Sequence, residues 1–317
     1  MKIVADAHIP FLLEAVRKEW PQVEIIPLEP EQINSVAVRA ADVMVIRTRT
    51  KADEQLLSGS SLRLVCTATI GFDHIDTAYC EAHGIRWMSC PGCNAQAVCD
   101  YIEEAVEEIP RDKGQGAEET TIGIVGVGHV GSLVAEMAAR RGMRVLLNDP
   151  PKGIGVSLDE IAQQCDIITF HVPLDKTTLH MCDEAFLAQC KPGALIINAA
   201  RGGVADEKAL LRSGHPYILD TWENEPDIDN EVLSHALRAS MHIAGYSIEG
   251  KRNATQMCLN EIAETFGLKP IDLSAYRYRG TTVCKKNNNE PWLAAITHSL
   301  KAHPEQFESL RRNYPLR

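Results

Sequence analysis

Long apolar runs are missing from this chain. No stretch of about eighteen consecutive apolar residues occurs, which excludes a membrane-spanning helix. The first residues, MKIVADAHIPFLLEA, lack an apolar core followed by a small-residue cleavage site, and Asp6 and His8 interrupt them early. Basic runs are also absent. Lys and Arg number 32 against 43 Asp and Glu, a net charge of −11, which argues against nucleic acid as the main partner. An anionic metabolite would need a local basic pocket. The pair Cys90 and Cys93 in CPGC has no second C-x-x-C or H-x-x-H at zinc spacing, so no metal is expected. With no leader, the ten cysteines read as reduced thiols of a cytoplasmic protein. No internal repeat is present. At 317 residues, 45% hydrophobic and 24% charged, the chain reads as an ordinary soluble globular protein of two domains.

What is present is an alternation of short apolar runs and helical patterns. KIVAD, VEIIPL, VMVIRT, LRLVCTA and IRWMS predict strands, with helices over 10–20 and 74–84. A denser series begins at Thr120: TTIGIVGVG, MRVLLND, DIITFHV, ALIINAA and PYILDT. Helices are expected between them over 129–142, 158–164, 183–190 and 206–213, the rhythm of βαβ units and parallel sheets. Between the two series, Ala97 to Thr120 starts helical, turns acidic and becomes loop-like around Pro110, Gly114 and Gly116, a crossing between domains. A long amphipathic helix is expected from Ser247 to Phe266, stopped by Gly267 and Pro270. The tail is polar, with KKNNN at 285–289 and a helix around Pro291 to His303.

In the second series, Gly126-x-Gly128-x-x-Gly131 follows a strand and opens a helix, the context that gives this otherwise weak pattern its meaning. Gly126 permits the tight turn, Gly128 lets backbone approach a pyrophosphate, and Gly131 brings helix and strand together. The amides of the helix starting at His129 and Val130 would meet the phosphates. The next strand ends at Asp149, placed to accept from ribose hydroxyls and to favour NAD over NADP, with Lys152 weakening that preference slightly.

ALIINAARGGVADEKALL sets a full charge, Arg201, at the mouth of an apolar strand, a costly placement unless an anion meets it. The guanidinium fork suits a carboxylate. LDTWENEP follows with Asp220 and Glu225, and MHIAGYS supplies His242. Arg201 would orient the carboxylate of a 2-hydroxy acid, His242 would take the hydroxyl proton, and Glu225 would hold the imidazole. Asp220 could bond the cofactor's carboxamide. Singly, Glu225 reads as a turn residue, His242 as one of 11 histidines and Arg201 as a bridge between loops. Their common position at the ends of successive strands makes them a set.

These motifs together resemble the D-isomer-specific 2-hydroxyacid dehydrogenases. RTRTK (47–51), CTATIGFDHID (66–76), PGCNA (91–95), NDPPKG (148–153) and HIAGYSIEGK (242–251) sharpen the match, which spans about residues 1 to 267. The resemblance implies the catalytic set Arg201, Glu225 and His242. It implies NAD contacts from Asp149, Val172, Ala199, Ala200, Asp220 and Gly245, and substrate contacts from Thr48, Thr69 and Tyr246. It implies oxidation of a small phosphorylated hydroxy acid, 4-phospho-D-erythronate, on the way to pyridoxal 5′-phosphate, in a cytoplasmic homodimer. Arg47, Arg49 and Lys51 are a plausible receptor for the phosphate. The fold implied is α/β: two Rossmann-like domains with parallel sheets, the NAD-binding domain inserted in a discontinuous substrate domain, plus a short C-terminal dimerisation-like tail. The expected boundaries are 1–96, 97–245, 246–268 and 269–317. Another hydroxyacid dehydrogenase, such as one acting on 3-phosphoglycerate, and a non-catalytic NAD-sensing protein of the same fold stand as alternatives.

Overall fold

A computed structural model describes residues 1–107, 119–278, 280 and 291–317. The loop expected around Pro110 to Gly116 and the KKNNN stretch lie outside the described residues.

The chain begins with β1 (Lys2–Asp6), α1 (Leu12–Glu19), β2 (Glu24–Leu28), α2 (Ser35–Val38), β3 (Val43–Ile46), α3 (Glu54–Leu57), β4 (Leu64–Thr67), α4 (Thr77–Ala82) and β5 (Arg86–Met88). The second run is α5 (Ala95–Glu107), β6 (Thr121–Val125), α6 (His129–Arg140), β7 (Arg144–Asp149), β8 (Ile154–Gly155), α7 (Leu158–Gln164), β9 (Ile167–Phe170), α8 (Glu184–Leu187), β10 (Leu195–Asn198), α9 (Glu207–Ser213), β11 (Tyr217–Leu219), α10 (Asn230–His235) and β12 (Arg238–Ala239). Then come α11 (Ile248–Phe266), α12 (Trp292–Ala302) and α13 (Phe307–Asn313).

Two compact units result, Met1–Asn94 with Ser247–Thr281, and Ala95–Tyr246 with Thr282–Arg317. The first holds a five-stranded sheet in the order β2-β1-β3-β4-β5, every pair parallel. β3 and β4 are buried at every residue, as strands covered on both faces must be. α11 buries Ala254, Cys258, Leu259, Ile262 and Ala263 in this unit's core. The Ser247 hydroxyl accepts from the Gly250 N–H at its start, and Gly267 ends it in the left-handed conformation at φ 63°.

The second unit holds a seven-stranded sheet in the order β12-β11-β10-β9-β6-β7-β8. All pairs are parallel except the short β8, which runs antiparallel to β7. The order reverses between β6 and β9, the switch point where ligands of open α/β sheets bind.

The tail differs from the expectation of one piece beginning at 269. Ile271, Leu273 and Tyr276 are buried in the first unit's core, whereas Leu293, Ile296, Leu300 and Phe307 enter the cores of the second. Apolar spacing divides the tail between the units. α12 is tied to β12 by the Thr297 hydroxyl, which accepts from the Ala239 N–H at 2.9 Å.

Candidate active site

The glycine loop joins β6 to α6 at the switch point. Gly126 has φ 90°, and a Cβ there would stand 2.6 Å from the His171 carbonyl oxygen. A Cβ on Gly131 would fall 1.9 Å from the Gly126 carbonyl oxygen, so helix and loop touch there only because Gly131 lacks a side chain. Gly128 is the opposite case: a Cβ there meets nothing within 4 Å. Gly128 is also the N-cap of α6 and offers no side-chain cap, so among the described residues the first amides, from His129 and Val130 onward, have no capping side chain. Open space against uncapped amides at a helix start fits a pyrophosphate. Asp149, ending β7, accepts from the Val127 N–H through Oδ2 at 2.9 Å, which ties the acidic group to the loop. Lys152 donates to the Val127 carbonyl at 2.7 Å and lies 3.8 Å from Asp149 Oδ2. Val172, half-buried after β9, lies against Gly126.

The other candidates follow β10, β11 and β12, three adjacent strands. Asn198, fully buried at the end of β10, turns the chain: its amide donates to the Arg201 carbonyl at 2.8 Å and its oxygen accepts from Ala200 N–H at 3.1 Å. This turn presents half-buried Ala199, Ala200 and Arg201 beyond the strand. Among the described residues, the Arg201 side chain makes one hydrogen bond, Nη1 to the Ala200 carbonyl at 2.8 Å, and meets no carboxylate.

Glu225 and His242 do meet. His242 Nδ1 lies 2.8 Å from Glu225 Oε2 and 3.1 Å from Oε1. Glu225 Oε1 also accepts from Trp222 N–H at 3.0 Å. Burial alone would raise the Glu225 carboxyl, but the His242 hydrogen bond and charge, the Trp222 N–H and Arg311 outweigh it and hold it below the usual carboxylate range. With Nδ1 on a carboxylate, Nε2 is the ring atom left for a proton from outside. His242 sits at φ 58°, a conformation histidine adopts more readily than most residues, and its N–H donates to the Asp220 carbonyl at 2.7 Å.

Asp220 fixes this loop. It is 1% exposed, and its carboxylate accepts from Ser240 Oγ at 2.6 Å, Ile243 N–H at 2.8 Å and Ala244 N–H at 3.0 Å. That placement spends the side chain on the segment carrying His242, Gly245 and Tyr246. Glu207 plays a similar part for the preceding turn: it is 3% exposed and accepts from the Glu223 N–H at 2.8 Å. Burial first, then the charges of Glu223, Asp229 and Glu225, against the pull of that N–H, push its carboxyl up to about 7. Asn198 and Glu207 escaped the reading from sequence; a polar side chain closing the apolar run LIIN was the one local signal.

In the first unit, Arg47, Thr48 and Arg49 follow β3, and Thr69 follows β4. Arg47 is engaged within the unit: Nε and Nη2 donate to the buried carboxylate of Asp6, at 2.7 and 3.0 Å, across the β1–β3 switch point. Thr48 and Arg49 are exposed. The Thr69 hydroxyl donates to the Gly71 carbonyl at 2.9 Å and lies 2.6 Å from the Thr67 hydroxyl. Cys90 and Cys93 are not bonded to each other; the Cys90 thiol donates to the carbonyls of Thr67 and Ala254, both at 3.3 Å. Among the described residues no cluster of His, Cys, Asp or Glu could hold a metal, and no helix is long and apolar enough to cross a membrane.

Comparison with known proteins agrees with this geometry. The family described as D-isomer specific 2-hydroxyacid dehydrogenase, NAD binding domain, matches residues 99–244. Erythronate-4-phosphate dehydrogenase of Bacteroides fragilis is 41% identical over 345 residues, covering 100% of this chain and 97% of its own. The protein of the same name from Porphyromonas gingivalis is 40% identical over 346 residues, covering 99% of this chain and 92% of its own. Among solved structures, NAD+-bound 3-phosphoglycerate dehydrogenase of Entamoeba histolytica has a TM-score of 0.71 at 26% identity, over 84% of this chain and 96% of that one. The chain belongs to the D-isomer-specific 2-hydroxyacid dehydrogenases, in the branch of the erythronate-4-phosphate dehydrogenases.

Proposed function

We propose that the protein is an enzyme that oxidises 4-phospho-D-erythronate to 2-oxo-3-hydroxy-4-phosphobutanoate with NAD, a step toward pyridoxal 5′-phosphate. The observation that carries the reading is the 2.8 Å contact of Glu225 with His242 Nδ1, at the same end of the sheet as a guanidinium that meets no carboxylate among the described residues. Bound NAD supplies the hydride acceptor. Arg201 grips the substrate carboxylate through its planar fork and polarises the carbon bearing the hydroxyl. His242 Nε2 takes the hydroxyl proton, and Glu225 stabilises the imidazolium that results.

The loop from Gly126 to Gly131, with the His129 and Val130 amides, holds the pyrophosphate, and Asp149 accepts from the ribose. Val172, Ala199, Ala200 and Gly245 line the rest of the cofactor, while Asp220 acts through the loop it fixes. Thr48, Thr69 and Tyr246 contact the substrate. Arg49 takes the phosphate end; Arg47, bonded to Asp6, shapes the turn that presents it. The working form is a homodimer in the cytoplasm.

A substrate panel with NAD tests the reading, comparing 4-phospho-D-erythronate with 3-phosphoglycerate and lactate. The first should give a kcat/KM at least about 100-fold above the others, the discrimination expected when a site built for polar groups meets a substrate lacking them. Preference for 3-phosphoglycerate would assign the other dehydrogenase activity. NAD binding without oxidation of any hydroxy acid would make the protein a sensor.

A further inference from the structure

Glu225 has a second charged neighbour from far along the chain. Arg311, in the last turn of α13, brings Nη1 to 3.6 Å from Glu225 Oε2, the oxygen that lies 2.8 Å from His242 Nδ1. The same guanidinium feels the charge of Tyr246 and lies 3.9 Å from Glu308 Oε2, one turn back on its own helix. The helix that carries it is anchored. Phe307 is buried, and Tyr314 accepts from Trp292 Nε1 at 2.7 Å. Arg317 covers the Trp292 ring at 4.6 Å and donates to the carbonyls of Tyr246, Ala97 and Ala244.

We propose that Arg311 is a positioning residue for the acid–base step: it steadies the Glu225 carboxylate and sets the field in which His242 takes up and releases its proton. This rests on His242 being the proton acceptor. At 3.6 Å the contact acts through charge more than through a hydrogen bond. Exposed ion pairs contribute little, but the Glu225 side chain is 18% exposed and that of Arg311 26%, so water screens this one weakly.

A carboxylate serving His242 alone would hold the imidazolium proton tightly. A cation beside the same oxygen draws off part of that field, so the pair gives up its proton at lower pH. Oxidation of a hydroxyl needs the unprotonated ring, so this is the useful direction. The charged and titratable groups around the pair are Glu223 on the loop of Glu225, Asp220 at the end of β11, Tyr246 beyond β12, Glu207 on α9, and Arg311 and Glu308 on α13. Among them Arg311 is the cation in contact with Glu225.

Arg311→Met and Arg311→Lys test this through the pH profile of kcat/KM for hydroxy-acid oxidation. In Arg311→Met the ascending limb should move up by about one pH unit, the shift that a unit charge a few ångströms away produces, while the high-pH plateau is kept. Arg311→Lys should restore the limb. In cofactor-free protein, the His242 ring titration followed by NMR should move the same way and by the same amount. A limb and a ring titration both at their wild-type pH in Arg311→Met would overturn the proposal. So would an equal shift in Arg311→Lys, because the charge would then not be the cause. Arg311→Gln replaces the Met variant should that one fail to fold. If wild-type protein oxidises no hydroxy acid, the functional reading fails, and the NMR titration still decides the role of Arg311.

Discussion

The two ends of the second unit's site are finished by opposite means. At the glycine loop the protein leaves groups open: α6 starts without a side-chain cap, and Gly128 faces empty space. Beyond β10 to β12 the polar groups are largely bonded already, Asn198 to its turn, Asp220 to three donors, Glu225 to Trp222 and His242. On the proposed reading the first end takes its partners from a ligand. On that reading the second holds a base, its carboxylate and the backbone around them in place before a ligand arrives, because dipoles fixed in advance cost no reorganisation during reaction. Arg201 is the exception there, a charge whose side chain bonds, among the described residues, to the Ala200 carbonyl and to no carboxylate.

Substitutions at the open end can break this comparison. The largest effect is expected from Gly131→Ala, whose methyl would lie 1.9 Å from a backbone oxygen and force α6 off the loop. NAD affinity by calorimetry should fall by about 100-fold and the melting temperature should drop with it, the upper range for overpacking. Retained affinity would show that the close approach is unnecessary. Gly128→Ala separates ligand space from protein packing. With no atom of the described residues beyond its own chain neighbours within 4 Å, the melting temperature should move by no more than about 2 °C. NAD affinity should still fall by about thirtyfold, the effect of one badly placed methyl. A variant that binds NAD normally would place the pyrophosphate elsewhere. The smallest effect is expected from Asp149→Ala, where losing a charged acceptor should narrow the preference for NAD over NADP by about tenfold. An unchanged ratio would mean that the ribose is held by other groups.

Much of the fold was legible because strands buried on both faces read as continuous apolar runs. DIITFHV contains β9 and ALIINAA contains β10, each within two residues at either end. α7 spans the residues its pattern gave, started by the Ser157–Glu160 capping box. The two-residue strands β8 and β12 and the one-turn helices α2 and α3 were not legible, since none is long enough to show a period. Within the candidate site, residues that sit on a motif could be proposed from it. Those acting across the fold could not: the Arg47 charge was visible, but not that Asp6, 41 positions earlier on a neighbouring strand, holds it. Arg311 lies in a tail without motif, and only the packing of α13 brings it to Glu225.

The central claim is that His242, held by Glu225, is the base in a site whose cofactor end is built independently of it. The direct measurement compares wild type with His242→Ala, following NADH formation from 4-phospho-D-erythronate beside a separate NAD titration. kcat should fall by about 10²–10⁴-fold with the NAD dissociation constant unchanged. A variant that turns over at the wild-type rate would contradict the account.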